Sequence, residues 1–140
     1  MGLGATVRRQ ILVSWPRCIY HSLGRQPLTV EHVIPKYWLR ELYGAQFAVQ
    51  PAVDDVLHLF PAGRRANSER GHQGLHFIAV PDASKGVLAR SLQLMMVKYP
   101  EIHDILPMVL VPELYEEWLE RPVCVAEMLR QAQQQQASPY

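Results

Sequence analysis

Two stretches of this chain carry residue types and spacings that could do chemistry. In Leu28-Thr29-Val30-Glu31-His32-Val33-Ile34-Pro35 a carboxylate stands beside an imidazole. Leu57-His58-Leu59-Phe60-Pro61-Ala62-Gly63-Arg64-Arg65-Ala66-Asn67-Ser68-Glu69-Arg70-Gly71 then runs through a second histidine to an asparagine in a short basic segment. Phosphodiester hydrolysis asks for an activated water, neutralised charge on the phosphoryl oxygens and help for the leaving alkoxide. His32, with an ordinary pKa near 6.5, suits the proton acceptor, a role worth about 10²- to 10⁴-fold. Glu31 and Asn67 are hard oxygen donors that suit Mg²⁺, an ion that keeps several of its own waters, with Mn²⁺ or Ca²⁺ able to replace it in binding. Arg70, three residues after Asn67 and so on its face of a helix, is the expected phosphate ligand at the reacting centre. Arg64 and Arg65 are expected on the nucleic-acid backbone further along. His58 lies in an apolar run that favours a hydrogen-bonded structural role over a direct catalytic one, and it is carried as a candidate for both.

These groups meet only if the elements cooperate. Neighbouring side chains on a regular strand point to opposite faces, so Glu31 and His32 can share a site only where a strand ends or turns, and Pro35 predicts such an end. Residues 10–14, 28–34, 56–60 and 75–80 read as short strands bounded by turn residues. Residues 37–43 read as a short helix stopped by Gly44, and residues 63–70 as a helix stopped by Gly71. Residues 84–99 form the clearest helical pattern, with Val87, Leu88, Leu92, Met95 and Met96 on one stripe and the methionines assigned to the core. Residues 113–131 are helical with an interruption at Pro122. A rigid helix packed under a two-stranded hairpin would project Asn67 toward the strand end.

The 140 residues, 49% hydrophobic and 19% charged, are one domain's worth. The expected domain is residues 1–130, with the Gln-rich residues 131–140 a frayed tail. The net charge of +1 conceals a polarised distribution: residues 1–40 hold six cations against Glu31 alone, residues 62–90 five against two acids, and residues 101–127 seven acids against Arg121. Local charge of this kind governs phosphate binding more than the total does. The acidic 101–127 region is expected to be a solvated helix, or a surface for a basic partner or a second copy. Cys18 and Cys124 lie far apart with no metal-knuckle spacing, and two reduced thiols are expected. Neither a leader peptide nor an apolar run of membrane-spanning length is evident, which favours an intracellular protein without a membrane partner.

Taken in order, these residues resemble the endonuclease I family, non-specific nucleases of the His-Me finger (ββα-metal, HNH-like) superfamily. Glu31-His32-Val33-Ile34-Pro35 is similar to the family's Glu-His-(Val/Thr)-x-Pro segment. Asp55-Val56-Leu57-His58-Leu59-Phe60-Pro61 through Asn67-Ser68-Glu69-Arg70 is similar to its second, more specific motif, and Lys85-Gly86-Val87-Leu88-Ala89-Arg90 to a third that opens a helix. The resemblance spans roughly residues 28–100. It implies a small α+β domain built around a ββα-metal core with additional helices, His32 as general base, and Glu31 and Asn67 as ligands of one Mg²⁺. It further implies DNA and often RNA as substrates and products ending in 5′-phosphate and 3′-hydroxyl, with Lys85 and Arg90 added to the residues expected on the phosphate backbone. The chain departs from the family pattern at Leu57, where a histidine is usual, at Arg64 in place of a glycine, and at His72 in place of an asparagine. It also lacks the family's late Gln-Gly-Asn-Arg-Asn-Pro-Phe segment.

The expected activity is therefore metal-dependent, non-specific endonucleolytic hydrolysis. A rival from another class is a nucleic-acid-binding or assembly protein that keeps the fold without turnover, favoured if Leu57 and the short link from Gly71 to Lys85 distort the site. A sequence-specific nicking enzyme would need a DNA-reading module for which 140 residues leave little room.

Overall fold

β1 (Leu28–His32) ends where the sequence geometry requires, with His32 as its last residue. The structure, a computed structural model, describes residues 3–20 and 27–137; Arg25 and residues 138–140 of the expected tail lie outside that range. β1 pairs antiparallel with β2 (Leu59–Gly63), Glu31 facing Phe60 and His32 facing Leu59 across the ladder. Helix α3 (Arg64–Arg70) follows β2 directly and packs against both strands. It stops at Gly71, whose φ of +57° with ψ of −126° is a conformation that a side chain would strain. Among the described residues the sheet has these two strands, and the architecture is a small, mostly helical α+β domain.

Helices cover the rest. The sequence strand at 10–14 is instead the end of α1 (Ala5–Leu12) and its exit turn. Thr6 to Gln10 supply helix-compatible residues ahead of the β-branched run, and the Ser14 hydroxyl closes the turn by donating to the Ile11 carbonyl at 2.7 Å. The helix finds its apolar partner in the sheet, with Ile11 packing on Val30 and Leu59. The run at 56–60 splits. Val56–His58 is a 3₁₀ turn capped by Asp55, which accepts from the Leu57 amide, and the strand begins only at Leu59. Residues 75–80 form a 3₁₀ turn at Leu75–Phe77 followed by an extended Ile78, and they pair with neither strand of the sheet; Leu75 is buried and Phe77 exposed.

The helix expected at 37–43 is α2 (Lys36–Tyr43), and the one at 84–99 is α4 (Asp82–Lys98). α4 is buried on more than its predicted stripe: Ser84, Gly86, Ala89 and Ser91 join Val87, Leu88, Leu92, Met95 and Met96 in the interior, so it is the central helix. A single turn, α5 (Leu106–Val109), leads to α6 (Pro112–Leu119), and the break expected at Pro122 separates α6 from α7 (Val125–Ala137). α7 runs through residues 131–137, which corrects the expectation that they fray. The side-chain amides of Gln133 and Gln134 donate to the carbonyls of Gln10 and Val56, tying that segment to the body of the domain. Cys18 and Cys124 both remain thiols. No helix among the described residues is long and apolar enough to cross a membrane.

Candidate functional site

His58 organises the site from beneath. Fully buried, it accepts from the Ile34 amide on Nδ1 at 3.3 Å, and its Nε2 donates between the carbonyls of Ala52 and Val53, each at 3.1 Å. The imidazole thereby ties the chain just after β1 to the loop that carries Asp54. Burial, reinforced by the nearby His32, lowers its pKa to about 3, so it is neutral at any physiological pH. Its role is structural, as its place in an apolar run favours, and the catalytic alternative is set aside.

His32 benefits from that tie. Its Nε2 lies 3.0 Å from Asp54 Oδ1, and the ring stands edge-on to His58 with centroids 5.6 Å apart. With the Nε2 proton committed to Asp54, the neutral ring keeps its lone pair on Nδ1. Nδ1 makes no hydrogen bond among the described residues, where no buried side-chain nitrogen or oxygen lacks a partner, so it reaches solvent. Burial lowers the His32 pKa, the Asp54 hydrogen bond opposes that shift, and Lys36 and Arg8 add to it. The neutral form therefore dominates at pH 7. Asp54 escaped the sequence reading: of the Asp54-Asp55 pair the motif pointed to Asp55, which instead caps the turn and binds Lys98 and Tyr99. Burial pushes the Asp55 pKa up, but those hydrogen bonds outweigh it and hold the carboxyl below its usual range.

Glu31 is 4% exposed, its Oε2 accepting from the Tyr20 hydroxyl at 2.7 Å and from Arg70 Nη1 at 3.1 Å. Burial raises its pKa against the opposing charge of Arg70. Arg70 is corrected from phosphate ligand to internal clamp. It is 1% exposed and spends its donors on Glu31, Tyr20 and the carbonyls of His32, Val33 and Gln73, none of which a substrate could displace cheaply. Asn67 donates from Nδ2 to the Val30 carbonyl at 3.2 Å, which leaves its Oδ1 as the outward group. Like Nδ1 of His32, Asn67 Oδ1 has no hydrogen bond among the described residues and reaches solvent, while the Glu31 carboxylate is also held by the His32 backbone amide.

Glu31, His32, Asp54 and Asn67 line one open cavity of about 480 Å³, with Lys36 and Arg8 at its edge. The chain matches no family model, no curated protein and no solved structure. The cavity must therefore speak for itself. No group of three or more His, Cys, Asp or Glu side chains converges as a metal cluster among the described residues. Glu31 and Asn67, which line the cavity together, are one carboxylate and one amide, donor types that suit a hard cation keeping most of its water. Two expected backbone contacts are corrected. Arg90 is locked to Glu127 and to the carbonyls of Leu119 and Arg121, and Lys85 pairs with Asp82 beside the Trp118 ring, both away from the cavity. Arg64 and Arg65 are exposed on the first turn of α3 and do not line the cavity.

Proposed function

We propose that the chain is a metal-dependent endonuclease that hydrolyses phosphodiester bonds of DNA, and of RNA as a second substrate, on a core of the ββα-metal type related to the endonuclease I family. The observation that carries this reading is the contact of His32 Nε2 with Asp54 Oδ1 at 3.0 Å beside the cavity shared by Glu31 and Asn67, an arrangement that leaves Nδ1 to accept a proton. The succession of β1, β2 and a helix packed on both supports it.

His32 Nδ1 takes a proton from the water that attacks phosphorus, and Asp54 stabilises the imidazolium that forms. Glu31 Oε1 and Asn67 Oδ1 would hold the divalent ion. When bound, such an ion neutralises the phosphoryl oxygens and assists departure of the 3′ oxygen, which leaves as a hydroxyl while the 5′ side keeps the phosphate. Tyr20 and Arg70 fix the Glu31 carboxylate by its other oxygen. Lys36 and Arg8 supply the positive edge that Arg70 does not.

A second reading, a nucleic-acid binder without turnover, is favoured by the neutralisation of Glu31 by Arg70. Digestion of supercoiled plasmid by wild type and His32→Ala, each with Mg²⁺ and with EDTA, separates the two. The nuclease nicks only with metal and loses at least about a hundredfold in the variant, while Glu31→Gln and Asn67→Ala raise the Mg²⁺ requirement. Plasmid binding equal in EDTA and Mg²⁺, with no cleavage under any divalent ion, establishes the binder.

A further inference from the structure

The cavity continues past the reacting corner to an aromatic wall that the hydrolytic chemistry does not use. Tyr37, in the first turn of α2, is 44% exposed, and its ring stacks on His72 with centroids 4.3 Å apart and planes 17° from parallel. Trp38 stands edge-on to both, at 4.9 Å and 6.3 Å. Gly71, with its positive φ, turns the chain so that His72 reaches this place. Tyr37, His72, Lys36 and Arg8 line the same cavity as Glu31, His32 and Asn67.

The corner between α2 and the end of α3 is already tied by Trp38 Nε1, which donates to the His72 carbonyl at 3.0 Å. The Tyr37–His72 stack therefore adds little as a fastener and leaves aromatic surface in water beside two cations. Neither Lys36 nor Arg8 takes part in an ion pair among the described residues. Aromatic rings next to unpaired cations are what a nucleotide needs: a π-face for the base and positive charge for its phosphates.

We propose that this wall is a nucleotide subsite, in which the base flanking the scissile phosphate extends the Tyr37–His72 stack on the open face of Tyr37 while Lys36 and Arg8 hold the adjoining phosphates, so that the preferred substrate is single-stranded nucleic acid. The proposal deepens the nuclease reading and rests on it for the position of the scissile phosphate. In a duplex each base is stacked on its neighbours and paired, and it can reach the wall only by leaving the helix, which costs binding free energy. An unpaired strand offers its bases at no such cost. The cavity, at about 480 Å³, is within the usual size range of a small-molecule site and suits one nucleotide better than a duplex.

The test uses the full chain in EDTA, where no turnover is needed, with fluorescently labelled strands of about eight nucleotides: oligothymidylate, an abasic strand with the same phosphates, and a duplex. Oligothymidylate is expected to bind roughly 5- to 150-fold more tightly than the abasic strand, the range that one base–aromatic stack supports. Tyr37→Ala should erase that difference while leaving duplex binding in place, Tyr37→Phe should preserve it, and Lys36→Ala should weaken every probe. Equal binding of the base-bearing and abasic strands, a difference that survives Tyr37→Ala, or failure to bind any probe overturns the subsite. Plasmid nicking by the same preparations keeps the two readings apart. Nicking without base dependence removes the subsite alone, and base dependence without nicking removes the nuclease and leaves the subsite as a binding feature.

Discussion

Two glutamates are buried against two arginines in this domain, one at the sheet and one between helices, and they are used differently. Glu127 on α7 gives both oxygens to Arg90 of α4, Oε2 to Nε and Oε1 to Nη2, each at 2.7 Å, and that guanidinium also holds the carbonyls of Leu119 and Arg121. Nothing of that carboxylate is left for a ligand. Glu31 gives Arg70 and Tyr20 a single oxygen and lines the cavity. A saturated pair fastens two helices; a half-saturated one holds a carboxylate still while leaving it a lone-pair face to work with. The histidines divide in the same way, since His58 uses both ring nitrogens inside the protein and His32 only one.

The largest effect should come from breaking each pair by its arginine or its acid. Arg70→Met strands a carboxylate that is nearly inaccessible and is expected to cost about 3–5 kcal/mol in urea denaturation. Glu127→Ala should fall at the lower end, about 3 kcal/mol, because Arg90 is 19% exposed at its side chain and keeps its carbonyl partners. Equal costs would erase the distinction between clamp and fastener.

A smaller effect concerns the histidines. His58 is neutral in the folded chain down to about pH 3, whereas the unfolded chain protonates it near pH 6.5. Between those values the unfolded state binds the extra proton, so stability falls as pH drops, by up to about 1.4 kcal/mol per pH unit. Urea midpoints between pH 7.5 and pH 5 should therefore slope less in His58→Asn than in wild type. His32, also lowered, adds to the slope that remains, and Glu31, raised by burial, opposes it. Parallel slopes would mean that His58 is not held neutral.

The smallest effect sharpens the electrostatic side of the comparison. Lys36→Ala and Arg8→Ala should each reduce the salt slope of single-strand binding by about 0.7, one phosphate contact apiece, while Arg90→Met leaves the slope unchanged. A reduced slope in Arg90→Met would return that residue to the nucleic-acid surface.

Type and spacing single out Glu31, His32 and Asn67, and all three line one cavity. The helices at Lys36–Tyr43, Arg64–Arg70 and Asp82–Lys98 followed from apolar periodicity and from glycine and proline stops. Residues 10–14 and 75–80 are not strands; a short apolar run looks the same in sequence whether it pairs with a strand or packs its side chains against the core, and only the tertiary contacts decide. The basic residues were the least legible. Arg70, Lys85, Arg90 and Arg8 are alike as cations in a sequence, yet Arg70 and Arg90 are held by buried carboxylates, Lys85 pairs at the surface with Asp82, and Arg8 lines the cavity.

What the sequence by itself determined was the local grammar: a carboxylate–histidine pair at a strand end, an asparagine on the next helix, and the central methionine-bearing helix. Each depends on residues close together in the chain, where spacing fixes which side chains can share a face. Only the tertiary structure decided that Asp54 and not Asp55 orients His32, that Arg70 is an internal clamp, and that Tyr37 meets His72 across a gap of 35 positions. Those pairings join segments far apart in sequence, and hydrogen bonding and burial select among chemically equivalent candidates only when the chain has closed upon itself.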